Sequence, residues 1–171
     1  MDQLKQIKGY FELVVLIGLL VIHGLATYQR NLVWKDDIVL WGDCVKKSPE
    51  KPRPYIWLGL VYQRKGLIDK AISQYKMALS LKPNYADAAD TYNNLGLCYV
   101  DKGWLEKAIL EFSRALHVVP NYTPAHYNLG FIYIQMKRYR EAMDEFKAIL
   151  RVDPHNKIAK SLIDFCQRNL K

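Results

Sequence analysis

Cysteine is scarce. Cys44, Cys98 and Cys166 are the only three, lying 54 and 68 residues apart with no C-x-x-C among them. An odd, scattered set supplies neither a zinc site nor a disulfide framework, so the three read as small apolar fillers. Proline and glycine are also few, 7 and 9 in 171 residues, which excludes collagen and a low-complexity disordered chain. There is no Walker loop, no G-x-S-x-G, no H-E-x-x-H and no dinucleotide fingerprint. His23, His117, His126 and His155 share no repeating context, and the carboxylates form no nucleophile–base or paired-acid arrangement. The expectation is a protein that is not an enzyme, with no cofactor, no metal and no small-molecule substrate.

Charge of one sign does not run the length of the chain. The net charge is +8, yet residues 1–29 carry 0, residues 30–85 carry +6, residues 86–122 carry −2 and residues 123–171 carry +4. A sign that alternates argues against a continuous nucleic-acid track, and no nucleic-acid partner is expected.

One long apolar run is present. Residues 11–28 read FELVVLIGLLVIHGLATY, with Leu13 to Ile22 unbroken. Eighteen helical residues reach about 27 Å, enough for a bilayer core. Tyr10, Phe11, Tyr28 and Trp34 place aromatic residues at both ends, and His23 sits near one of them. Three readings compete: a retained single-pass anchor, a signal peptide cleaved near Gly24-Leu25-Ala26, and a helix buried in the fold. Tyr28-Gln29-Arg30 continues in helical character rather than opening a loop, which favours the anchor. The flanking positive charges nearly balance. A short N-terminal tail is easily left in the cytoplasm, which puts the larger part of the chain outside, in a periplasmic or lumenal space.

The rest of the chain repeats. Leu58-Gly59, Leu95-Gly96 and Leu129-Gly130 align, each followed three residues on by Tyr62, Tyr99 and Tyr133. Ala71, Ala108 and Ala142 come next in register, then Tyr75, Phe112 and Phe146, then Ala78, Ala115 and Ile149, then Pro83, Pro120 and Pro154. Small residues mark where two helices of a hairpin approach too closely for a side chain, the large residues fill the space between neighbouring hairpins, and proline opens each connection. Gly66 and Gly103 fall where a left-handed helix cap is expected; the third copy has Lys137 there, which predicts a turn that is somewhat strained or differently built.

This pattern resembles the tetratricopeptide repeat, a 34-residue helix–turn–helix unit. The resemblance implies an all-α solenoid preceded by one membrane helix over residues 1–29. A juxtamembrane half repeat follows at residues 30–51, then full repeats at 52–85, 89–122 and 123–156, and a capping helix at 157–171. Three extra residues between the first two copies read as an extension of the second copy's first helix. Asp37 stands at the usual alanine site, so the half repeat is degenerate. The cap's apolar side is read as Ile158, Leu162, Ile163 and Phe165. The segment from Arg30 through Trp34, Trp41 and Asp43 to Ser48-Pro49 is similar to the junction after the last membrane helix of polytopic proteins with C-terminal repeats, some membrane glycosyltransferases among them.

In this family the first helices line a concave binding face. Carried over by register, that face holds Ile56, Leu60, Gln63 and Arg64 from the first copy. The second copy supplies Asn93, Asn94, Leu97 and Val100, and the third Tyr127, Phe131 and Ile134. Relatives that grip an acidic C-terminal peptide carry Lys, Arg and Asn at set places; here Ile56, Leu60, Pro124 and Asn128 occupy those places and only Asn94 matches, which argues against a carboxylate clamp. The apolar face suits a partner helix or extended segment. Arg53, Arg64 and Lys65 read either as a contact for an acidic partner or as a solvated basic face. The expected role is a membrane-tethered protein-interaction adaptor, held to the bilayer through residues 11–28 and partnered by a membrane or membrane-associated protein. The alternatives are a structural subunit of a membrane complex and a substrate-recognition part related to a membrane glycosyltransferase.

Overall fold

The computed structural model describes residues 36–170. The apolar run at residues 11–28 lies outside them. Among the described residues there are eight helices and no strand: α1 (Asp37–Lys47), α2 (Pro52–Arg64), α3 (Ile68–Ser80), α4 (Tyr85–Asp101), α5 (Leu105–Val118), α6 (Thr123–Gln135), α7 (Tyr139–Val152) and α8 (Lys157–Asn169). None of these helices is long and apolar enough to cross a membrane. Each packs chiefly on its chain neighbours, so the array is a solenoid built of hairpins α2–α3, α4–α5 and α6–α7, with α1 before them and α8 after.

One small-against-large contact builds every hairpin. Tyr75, Phe112 and Phe146 are fully buried, each with its ring pressed on the glycine of its own first helix. A Cβ on Gly59 would stand 2.7 Å from Tyr75, and one on Gly96 would stand 2.6 Å from Phe112. Ala71, Ala108 and Ala142 are likewise fully buried. The main core runs from Ala71 to Ile132 across all three hairpins; a second cluster joins Phe146 and Ile149 to Ala159 and Cys166 of the cap.

Each hairpin turns on the same backbone motif. Leu67, Trp104 and Arg138 donate their N–H groups to the carbonyls of Tyr62, Tyr99 and Tyr133, and Gly66, Gly103 and Lys137 donate to Gln63, Val100 and Ile134. That pair of bonds needs a left-handed residue. Gly66 and Gly103 adopt φ 72° and 71°, and Lys137 is held at φ 59°. A side chain in that region costs about 1–2 kcal/mol, while glycine costs more to order from the unfolded chain. Lys137→Gly is therefore expected to raise stability by about 0.5–1 kcal/mol in a urea titration; unchanged or lower stability would contradict the strain.

The three extra residues appear as an added first turn on α4, which begins at Tyr85 and is capped by the Asn84 side chain accepting from the Asp87 N–H. Just ahead, Lys82 takes φ 52°, a left-handed step that the sequence did not announce and that the other two repeat junctions lack. It redirects the chain into the longer helix.

The cap departs from the reading of its apolar side. Ala159, Leu162, Ile163 and Cys166 face inward, whereas Ile158 is 63% exposed and Phe165 lies at the rim against Tyr139. The phase is set where the Asn156 side chain accepts from the Ala159 N–H and starts the helix. At the other end α1 buries no residue. Trp41 occupies the register position of Tyr75, Phe112 and Phe146, but it is only partly buried and stacks on Trp57 at 5.5 Å. The residues that precede α1, 1–35, lie outside the described residues.

Candidate interaction groove

The first helices α2, α4 and α6 carry the face that family geometry assigns to binding. It holds a cleft of about 360 Å³ between α2 and α4, lined by Arg53, Ile56, Trp57, Leu60, Asp87, Asp90 and Asn94. Ile56, Leu60 and Asn94 meet there. Trp57 and Asp87 were not anticipated. Trp57 aligns with Asn94 and Asn128 in the other copies, so a large apolar ring at a polar register position was the available signal.

Other anticipated residues are spoken for by the fold. Asn93 is buried, and its side-chain oxygen accepts from Asn128 Nδ2 at 2.8 Å, clamping α4 to α6. Gln63 Oε1 accepts from the Tyr75 hydroxyl at 2.9 Å, which satisfies the only polar atom on that buried ring. Leu97 and Val100 are half-buried against the main core, and Ile134 and Tyr127 against the second cluster. The Tyr127 hydroxyl donates to Asn156 Oδ1 at 2.8 Å. Phe131 remains 50% exposed, stacked beside Tyr127 and edge-on to Phe146. The apolar face therefore narrows to Ile56, Trp57 and Leu60 at one end and Phe131 at the other, joined by the exposed margins of Leu97 and Val100.

The basic cluster also resolves differently. Arg53 pairs with Asp87 at 3.0 Å, Arg64 with Asp37 at 2.9 Å and Lys65 with Asp36 at 3.3 Å. The last two latch α1 to the end of α2. The Ile38 N–H, and then Lys65, hold the Asp36 carboxyl below its usual range. None of the three cations is left for an acidic partner without breaking an internal pair. On the opposite wall Asp90 accepts from the Tyr122 hydroxyl, and burial followed by that carboxylate pushes the phenol well above its ordinary value.

Buried polar groups elsewhere are satisfied within the fold. His126 is flanked by Glu145 Oε2 at 2.7 Å and the Pro120 carbonyl at 3.0 Å, a bridge between α6, α7 and the preceding turn. Burial, and secondarily Asp101, pushes the Cys98 thiol up to about 12, and burial raises Cys166; Cys44 is the one partly exposed cysteine. No cluster of potential metal ligands occurs among the described residues.

With this geometry in place, the family assignment follows. Two family models for the tetratricopeptide repeat match residues 52–121 and 99–163, together about two thirds of the chain. The chain belongs to the tetratricopeptide-repeat family. Among solved structures it resembles MamA, with a TM-score of 0.69 and 22% identity over 84% of this chain and 77% of that one. It also resembles the first such domain of Spaghetti (RPAP3) bound to the HSP90 peptide SRMEEVD, with a TM-score of 0.63 and 21% identity over 70% of this chain and 95% of that one. A third is YrrB, described as having an unusual peptide-binding site, with a TM-score of 0.62 and 20% identity over 80% of this chain and 71% of that one. Among curated proteins, the Drosophila melanogaster protein O-mannosyl-transferase Tmtc1 is 34% identical over 80 residues, 45% of this chain. The match takes in only 9% of that protein's length.

Proposed function

We propose that this chain is a membrane-tethered adaptor that binds an apolar segment of a partner protein along the α2–α4–α6 groove. The observation that carries this reading is the apolar strip from Trp57 and Leu60 to the half-exposed Phe131, on a fold whose hairpin aromatics Tyr75, Phe112 and Phe146 are fully buried. The peptide held by the RPAP3 domain and the site of YrrB support the same face as a place for extended segments. The chain acts by binding rather than by catalysis. Residues 11–28 anchor it as a single membrane helix, with the N-terminus cytoplasmic and the repeats on the extracytoplasmic side. Tethering raises the effective concentration of the groove toward other membrane components.

The test is a crosslinked pull-down from native membranes comparing wild type with Leu60→Glu/Phe131→Glu. These two positions are chosen because Leu97 also packs on the core, so a charge there threatens the fold. Loss of a partner from the variant, at unchanged helicity, is the expected result; equal recovery contradicts the groove.

Sidedness has its own test. Cys98 and Cys166 are fully buried, so in the native protein Cys44 alone is open to a thiol reagent. A membrane-impermeant maleimide is expected to label Cys44 in sealed membrane vesicles whose extracytoplasmic face is outward. Protection until those vesicles are permeabilised would place the repeats on the cytoplasmic side.

A second reading draws on the match to the O-mannosyl-transferase. In it the repeats are a substrate-recognition part related to a polytopic membrane glycosyltransferase. Co-purification of such an enzyme, dependent on the same groove, would make this the client.

A further inference from the structure

We infer that the groove selects a segment carrying a lysine or arginine seated beside Asp90, and so prefers basic apolar sequences over acidic ones. This rests on the groove being the partner site. The cleft between α2 and α4 has two unlike walls: Ile56, Trp57 and Leu60 are apolar, while Asp87, Asp90 and Asn94 are polar. Asp87 is neutralised by Arg53 at 3.0 Å and further bound by Asn84 at 2.9 Å. Asp90 receives only the neutral Tyr122 hydroxyl, and no cation pairs with it among the described residues. The neighbouring cations on α2, Arg53 and Arg64, are each already paired. Charge complementarity therefore asks for a cation from the partner.

The shape asks for the same. Lysine and arginine lay an aliphatic stem on apolar surface and carry the charge at the tip. Across this cleft the stem rests on Ile56, Trp57 and Leu60 while the head meets Asp90. Trp57, 47% exposed, adds an aromatic surface suited to a cation. An acidic residue in the same place meets two carboxylates and no free cation.

The experiment is panning of a random dodecapeptide phage library on the full chain in detergent. Three proteins run beside the wild type: Asp90→Asn, Asp90→Lys and Leu60→Glu/Phe131→Glu. Asp90→Asn keeps an acceptor for Tyr122, so it separates charge from folding. Wild type is expected to enrich peptides with apolar residues and a lysine or arginine. Changing that residue to glutamate in the synthetic peptide is expected to weaken binding about fivefold or more. Asp90→Asn should lose the basic preference, and Asp90→Lys should reverse it. Groove-dependent peptides without a basic preference overturn this inference and leave the groove standing. Peptides that bind Leu60→Glu/Phe131→Glu equally well, or no selected peptide at all, overturn both.

Discussion

Phe112→Ala is expected to cost about 3–5 kcal/mol and to bring the repeats down together rather than loosen one of them. Phe112 is fully buried at the centre of the main core, between Ala108, Ala115 and the neck of α4 at Gly96. Its removal takes away the apolar transfer term and leaves a cavity that helices on both sides are too well packed to fill. Domains of this size hold about 5–15 kcal/mol in all, so the loss is a large share. A solenoid is stabilised mainly between neighbours, and the middle hairpin has two of them. The equivalent change at Phe146 sits in the separate cluster under the cap and should fray the C-terminal end first. Urea unfolding followed by circular dichroism checks both. A Phe112→Ala midpoint within about 1 kcal/mol of wild type would show that the contact does not organise the array.

Gly96→Ala is the second large effect. In an exposed helix the change would stabilise by about 1 kcal/mol through propensity. Here the new methyl would lie 2.6 Å from Phe112 Cε1, and the ring has no exposed side toward which to retreat. Overpacking of this kind costs about 1–3 kcal/mol, so the clash outweighs propensity. The double variant separates the causes. Phe112→Leu should cost less in the Gly96→Ala background than in wild type, because the smaller side chain makes room for the methyl. Additive costs would mean that Gly96 matters for some reason other than the ring.

These contacts explain how much the sequence reveals. The small and aromatic residues recur because each hairpin solves one steric problem the same way, so their positions could be read without coordinates; that Tyr75 and Phe112 press on the glycine of their own hairpin, and not only between hairpins, needed the structure. Lys137 was legible too, since a repeat that places a side chain where its siblings have glycine must strain the turn. Charge pairing was not legible. Arg53 meets Asp87 and Lys102 meets Asp69, partners 34 and 33 residues apart that face each other only once the repeats are stacked. That stacking turned a basic patch into an internal latch and left Asp90 as the open charge. The same applies to Asn93, whose register assigns it to the groove while Asn128 from the next repeat claims it. Phase at the chain end was obscure for another reason: with apolar residues on two sides of α8, only the capping bond from Asn156 decides between Ile158 and Ala159.

Site-specific photocrosslinking in native membranes shows whether the α2–α4–α6 face holds a partner. A benzophenone amino acid replaces Phe131, which is half exposed on the groove, and in a second protein Leu110, which is 49% exposed on α5 away from it. The account predicts one discrete crosslinked band from position 131 and none from position 110. A band from position 110 alone would contradict it and move the interface to the outer helices.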